Sequence, residues 1–101
     1  MIKAKKSLGQ NFLIDKKILE EIVNIIPIKN RNILEIGPGT GNLTSYILKK
    51  NPKKLIVIEK DKYLASNLNN NFKNQIIIIN DDILKVDESC LFDEKTIVFG
   101  N

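Results

Sequence analysis

The residues of this chain that could do chemistry are carboxylates and amides, and they gather around three alternate glycines. Gly37, Gly39 and Gly41 lie in Ile33-Leu34-Glu35-Ile36-Gly37-Pro38-Gly39-Thr40-Gly41-Asn42-Leu43-Thr44, which reads as an apolar strand, a tight turn and the start of a helix. Glycines at this spacing remove side chains where a ligand could lie against bare backbone. A helix start beyond them offers unpaired N–H groups and the positive end of a helix dipole. This is a cofactor cradle in outline. Histidine is absent and Cys90 is the single cysteine, which excludes a Ser-His triad, a zinc site and a disulfide framework. Cys90 reads as a loop or core residue with no role, and no metal is expected.

The elements that must position these residues follow from periodicity. Asp15 is a candidate N-cap for a helix over 16–26, with Ile18, Ile22, Ile25 and Ile26 on one face and Pro27 as its stop. Ile33–Ile36 is the first strand, and Leu43, Tyr46 and Ile47 mark the helix after the glycines. Leu55–Ile58 is a continuous apolar run, the pattern of a buried parallel strand, and Glu59 ends it. Asp61 can cap the next helix, whose inner face is Leu64, Ala65, Leu68 and Phe72 and whose asparagine-rich end is expected to fray over 69–74. Ile76–Ile79 and Thr96–Phe99 are the third and fourth strands. Tyr46 and Tyr63 read as packing or surface residues. Helices alternating with strands in this way give a parallel α/β sheet with right-handed crossovers.

Open parallel sheets bind ligands at the carboxyl ends of their strands. Here those ends carry Gly37, Glu59, Asp82 and Asn101. Glu59 lies 22 positions after Gly37, near the roughly 20-residue offset at which an acid accepts hydrogen bonds from ribose hydroxyls. Asp82 suits an adenine amino group, with Asp81 competing for that role. Glu35, two residues before Gly37, is costly in an apolar strand unless it meets a cation or loop N–H groups. A dinucleotide fold wants glycine at position 42, where this chain has Asn42, and dinucleotide domains open at the strand rather than at a helix. The spacing E-x-G-x-G-x-G, with Glu59 and Asp82 in register, points instead to S-adenosylmethionine.

Composition bounds the rest. At 101 residues, 43% hydrophobic and 28% charged, the chain has the make-up of one globular domain. The net charge of +4 suits a nucleic-acid partner. Arg31 is the single arginine among 16 basic residues, though, and the excess of lysine, isoleucine and asparagine is what an AT-rich genome produces. No apolar run approaches the roughly 20 residues of a membrane span. The basic start Met1-Ile2-Lys3-Ala4-Lys5-Lys6 is followed by no signal core, so a cytoplasmic location is expected.

Four blocks carry a family resemblance: Lys6-Ser7-Leu8-Gly9-Gln10-Asn11-Phe12-Leu13, Leu34 to Thr44, Glu59-Lys60-Asp61, and Asn80-Asp81-Asp82-Ile83-Leu84. With them the chain resembles the rRNA adenine dimethyltransferases over essentially its whole length, and leans to the members acting on the small ribosomal subunit. The resemblance implies a Rossmann-like methyltransferase sheet of strand order 3-2-1-4 and S-adenosylmethionine as cofactor. It also implies rRNA as partner. Asn11 and the backbone of Leu13 would contact the methionine end of the cofactor, beside Gly37. Glu59 would hold the ribose, and Asp82 rather than Asp81 the adenine. Gly100-Asn101 resembles the start of the family's Asn-Leu-Pro-Tyr motif, which makes Asn101 the candidate catalytic residue and a further cofactor contact. The Leu-Pro-Tyr, the later strands and a C-terminal helical RNA-binding domain do not follow. Residues 1–101 are therefore expected to be a partial methyltransferase domain, catalytically silent alone, with an unpaired strand-four edge open to self-association. The alternative is a non-catalytic module that binds cofactor or rRNA.

Overall fold

The computed structural model of the protein describes residues 16–87 and 95–100. Asp15 and Cys90, with the roles expected of them, lie outside the described residues. Within these bounds, helices α1 (Lys16–Ile25), α2 (Asn42–Leu48) and α3 (Lys62–Phe72) alternate with strands β1 (Asn32–Ile36), β2 (Lys54–Ile58), β3 (Ile77–Ile79) and β4 (Ile97–Gly100). All strand pairs are parallel and their order is β3-β2-β1-β4, as the family resemblance implied. Ile33 lies level with Leu55 and Ile97, and Ile58 with Ile79, so the strand ends form one common edge. No helix among the described residues is long and apolar enough to cross a membrane.

Side chains alternate across the central strands and bury both faces. On one face Ile33, Leu55, Val57 and Phe99 pack with Leu19 and Val23 of α1, Leu43 and Ile47 of α2, and Leu68 of α3. On the other, Leu34, Ile56 and Ile58 pack with Ile36, Ile79, Ile83 and Val86. Burial on two sides is why Leu55–Ile58 of β2 is apolar without a break.

The buried stripe of α1 differs from the one expected. Leu19 and Val23 are buried with Ile22 and Ile26 packed beside them, whereas Ile18 and Ile25 are 46% and 79% exposed. Both arcs contain Ile22, so the helical period alone could not choose between them. The arc 19-22-23-26 fills i, i+3, i+4 and i+7, the wider apolar stripe.

Nor does the asparagine-rich end of α3 fray as expected. The helix starts on its Asp61 cap, whose Oδ1 accepts from the Leu64 N–H at 2.9 Å. It stays regular through Phe72 and tightens into one 3₁₀ turn at Lys73–Gln75. Tertiary packing overrides the weak propensity of Asn69, Asn70 and Asn71. The Phe72 ring lies directly against Gly41: a Cβ on that glycine would stand 2.8 Å from Phe72 Cε2 and 3.0 Å from Leu68 Cδ2. Gly41 also has φ +91°. A Gly41→Ala substitution is therefore strained twice, and should lower the unfolding free energy in urea by at least about 1 kcal/mol. Because part of that loss is the overlap with the ring, Phe72→Leu in the same chain should be less than additive with it.

Candidate functional site

The glycine turn leaves β1 at the common edge. Gly37 N–H continues the ladder to the Ile58 carbonyl at 2.9 Å, and Gly41 N–H closes on the Pro38 carbonyl at 3.0 Å. Gly39 N–H donates across to Glu59 Oε1 at 3.1 Å. The amides of all three glycines thus have partners within the chain, and α2 beyond them is only seven residues long. What the turn offers a ligand is room rather than free donors. A Cβ added at Gly39 would meet no atom within 4 Å, so this stretch of backbone faces open space.

Glu59 stands where β2 ends, 6% exposed. Besides Gly39, it holds the start of α3, with Oε2 accepting from the Asp61 N–H at 2.9 Å. Asn80, just past β3, braces the same segment by donating from Nδ2 to the carbonyls of Glu59 at 2.8 Å and Lys60 at 3.2 Å. A carboxylate has about four acceptor positions. With two filled by backbone N–H groups, Glu59 is fixed in place and keeps capacity for two more donors.

Asp82 follows β3 on the same edge. Its Oδ1 accepts from the Leu84 N–H at 3.0 Å, capping the short turn at Ile83–Lys85, and its Oδ2 faces Lys60 Nζ at 3.7 Å. That lysine is mostly in solvent, so the ion pair is weak and open to displacement. Asp81 is exposed, and its Oδ1 accepts from the Asp82 N–H at 2.7 Å, a bond that shapes the turn. Gly37, Glu59 and Asp82 are therefore brought together on one edge. Asn11, Leu13 and Asn101 lie outside the described residues.

Glu35 is buried on the helix-covered face, and its described hydrogen bond comes from α2 rather than from loop N–H groups of the turn. Its Oε1 accepts a 2.6 Å hydrogen bond from the Thr44 hydroxyl in α2. Burial pushes its carboxyl up to about 7, the Thr44 bond opposes that rise, and the nearby Glu59 charge adds to it. Sequence reasoning missed both Thr44 and Asn80 as supports. The signal for Thr44 was a hydroxyl in the first helical turn, facing the only acid inside β1; for Asn80 it was an amide directly after an isoleucine strand.

An open parallel sheet of this order, with a glycine turn after its central strand and acids after the next two, is the Rossmann-like architecture of the S-adenosylmethionine-dependent methyltransferases. The chain belongs to the ribosomal RNA adenine dimethylase family, whose model matches residues 1–101. It is 65% identical over 100 residues to the ribosomal RNA small subunit methyltransferase A of Pelagibacter ubique, covering 99% of this chain and 38% of that protein. The chain thus spans under two fifths of the length of this curated relative. Among solved structures, a dimethyladenosine transferase from Plasmodium falciparum matches with TM-score 0.71 and 30% identity, over 86% of this chain and 32% of that one. The 23S rRNA methyltransferase ErmE matches in fold with TM-score 0.69 and 23% identity, over 85% and 35%. The cofactor of this class fits the residues present: open backbone at Gly39, and two carboxylates with acceptor capacity at neighbouring strand ends.

The raised Glu35 carboxyl has a consequence for stability. Between about 4.5 and about 7 the folded chain binds this proton and the unfolded chain does not. Folding stability is thus highest below that window and falls as pH rises through it. Glu35→Gln keeps an acceptor for Thr44 and should remove this slope. It should gain on the order of 3 kcal/mol over the parent at pH 8 and little at pH 4.5, read from urea melts across the range.

Proposed function

We propose that this chain is the cofactor-binding part of an enzyme that dimethylates the exocyclic amino group of adenosines in small-subunit rRNA. The observation that carries this reading is Glu59, held by Gly39 and Asp61 with acceptor capacity to spare, beside Asp82 on the next strand. The names of the relatives, a small subunit methyltransferase and a dimethyladenosine transferase, agree with it. In this reading residues 1–101 form a partial methyltransferase domain, and the acceptor adenosine is held by further chain. Activity then requires that further chain.

When bound, S-adenosylmethionine supplies a methyl group on sulfonium, activated for transfer to a nucleophilic nitrogen. Glu59 would hold the ribose hydroxyls, a pairing that a single fixed carboxylate can make without giving up its backbone bonds. Asp82 would hold the adenine amino group, its ion pair with the exposed Lys60 being weak. Asn11 and the Leu13 backbone hold the methionine end beside Gly37, on the family resemblance. Asn101 has the catalytic role: its side chain accepts from the target amino group. That nitrogen's lone pair is delocalised into the ring, and an acceptor that favours a tetrahedral nitrogen frees it for attack. The work is positioning, and needs no strong base.

Calorimetric titration of the chain with S-adenosylmethionine tests the site. Weak binding is expected, and Glu59→Ala should weaken it at least tenfold because both hydroxyl acceptors go. A folded chain that gives no binding heat overturns the proposal. The outer edge of β4, which pairs on one side with β1 among the described residues, is proposed to favour self-association. Sedimentation velocity across a dilution series should show a concentration-dependent shift.

A further inference from the structure

At the end of the sheet opposite the glycine turn, two loops are tied together. Asn30 N–H donates to the Asn51 carbonyl at 3.0 Å, and Lys53 N–H to the Arg31 carbonyl at 2.8 Å. The α1–β1 turn and the α2–β2 turn therefore form one rigid ledge. The left-handed residues that shape it, Asn30 at φ 61° and Asn51 at φ 57°, are of a type that tolerates this conformation. Between the ledge and the end of α1 lies a cleft of about 290 Å³, with Val23, Ile26, Pro27 and Ile28 among its walls and Lys29, Lys49 and Lys50 at its margin.

Charge is distributed unevenly between the two ends. The ledge carries Lys29, Arg31, Lys49, Lys50, Lys53 and Lys54, while neither 22–34 nor 47–58 contains an aspartate or glutamate. At the other end Glu59, Asp61, Asp81 and Asp82 are interleaved with Lys60, Lys62 and Lys85. A lysine-rich composition explains how many cations there are, but not why these two turns lack acids. Lys49 is held over the Tyr46 ring at 4.7 Å, and Lys29, Lys53 and Lys54 are exposed. Lysine is a point charge suited to phosphate rather than to planar carboxylate recognition.

We infer that this ledge docks the phosphate backbone of RNA, at the end of the sheet away from the cofactor edge. The inference rests on the reading of the chain as part of an rRNA methyltransferase, but on a separate surface. A row of cations with no interleaved acid matches a continuous polyanion such as a phosphate backbone. The sheet is five residues tall at β1, about 17 Å at strand rise. RNA anchored on the ledge is thereby held by its backbone about one sheet height from the cofactor edge, where charge of both signs is interleaved.

The test is fluorescence anisotropy of a labelled 20-base-pair RNA duplex with the full 101-residue chain, over 50–200 mM KCl. The triple variant Lys29→Gln/Lys50→Gln/Lys53→Gln should bind at least tenfold more weakly at 100 mM. Its slope of log K against log [salt] should fall by about two. The variant Lys16→Gln/Lys62→Gln/Lys85→Gln removes the same charge elsewhere and should stay within threefold of the parent. Arginine at positions 29, 50 and 53 should retain binding, which separates lost charge from lost folding. Equal losses in both glutamine variants, no loss in the first, or no RNA binding by the parent would each overturn the inference. S-adenosylmethionine binding, measured on the same samples, is not expected to change in the ledge variant. A failed ledge with intact cofactor binding leaves the proposed function standing, and a failed cofactor titration does not touch the RNA result.

Discussion

The structure depends on one carboxylate placed where an apolar strand ends. Glu59 accepts from the amide of Gly39 on one side and from that of Asp61 on the other. It therefore fixes both the glycine turn after β1 and the start of α3 after β2. Hydrogen bonds from backbone N–H groups to an ionised acid are shorter and stronger than neutral ones. They also hold the side chain in one orientation, so the conformational cost of presenting two open acceptor positions is met by folding. Asn80 extends this frame to β3 through the carbonyls of Glu59 and Lys60. Three consecutive strand ends are thereby locked in relative position by side chains rather than by the ladder alone.

Glu35 shows the opposite use of an acid. It lies inside β1, 3% exposed, and its described bond is the Thr44 hydroxyl. A neutral hydroxyl offsets only part of the desolvation of a carboxylate. The carboxyl responds by holding its proton to about 7, so at neutral pH the group stands between its two forms. Two acids near one glycine turn are thus held by different partners. Glu59 has two amide donors and an outlet to the surface; Glu35 has one hydroxyl and a lid of helix.

Much of this was legible in the sequence. The apolar run Leu55–Ile58 declared β2 a buried parallel strand, and the strand ends named the edge where Gly37, Glu59 and Asp82 meet. Asp61 was readable as a cap because its bond to Leu64 is local. What could not be read was whatever depends on contacts distant in sequence. The choice between two overlapping stripes on α1 was made by the sheet beneath it. The Phe72 ring at the asparagine-rich end of α3 packs on Gly41, 31 positions earlier in the chain. That the amides of Gly37 and Gly39 are taken up within the chain could not be read, because their partners, the Ile58 carbonyl and the Glu59 carboxylate, arrive from another strand.

The cost of Glu35 bears on why such a residue persists beside a binding edge. A small domain holds a net stability of about 5–15 kcal/mol, so a penalty on the order of 3 kcal/mol is a sizeable share of it. The core answers with fully buried Ile33, Leu34, Ile47, Leu55, Val57, Ile58 and Leu68 around the same strands. The desolvation of one acid is thus carried by apolar burial on the strands around it, in the strand that leads directly into the glycine turn.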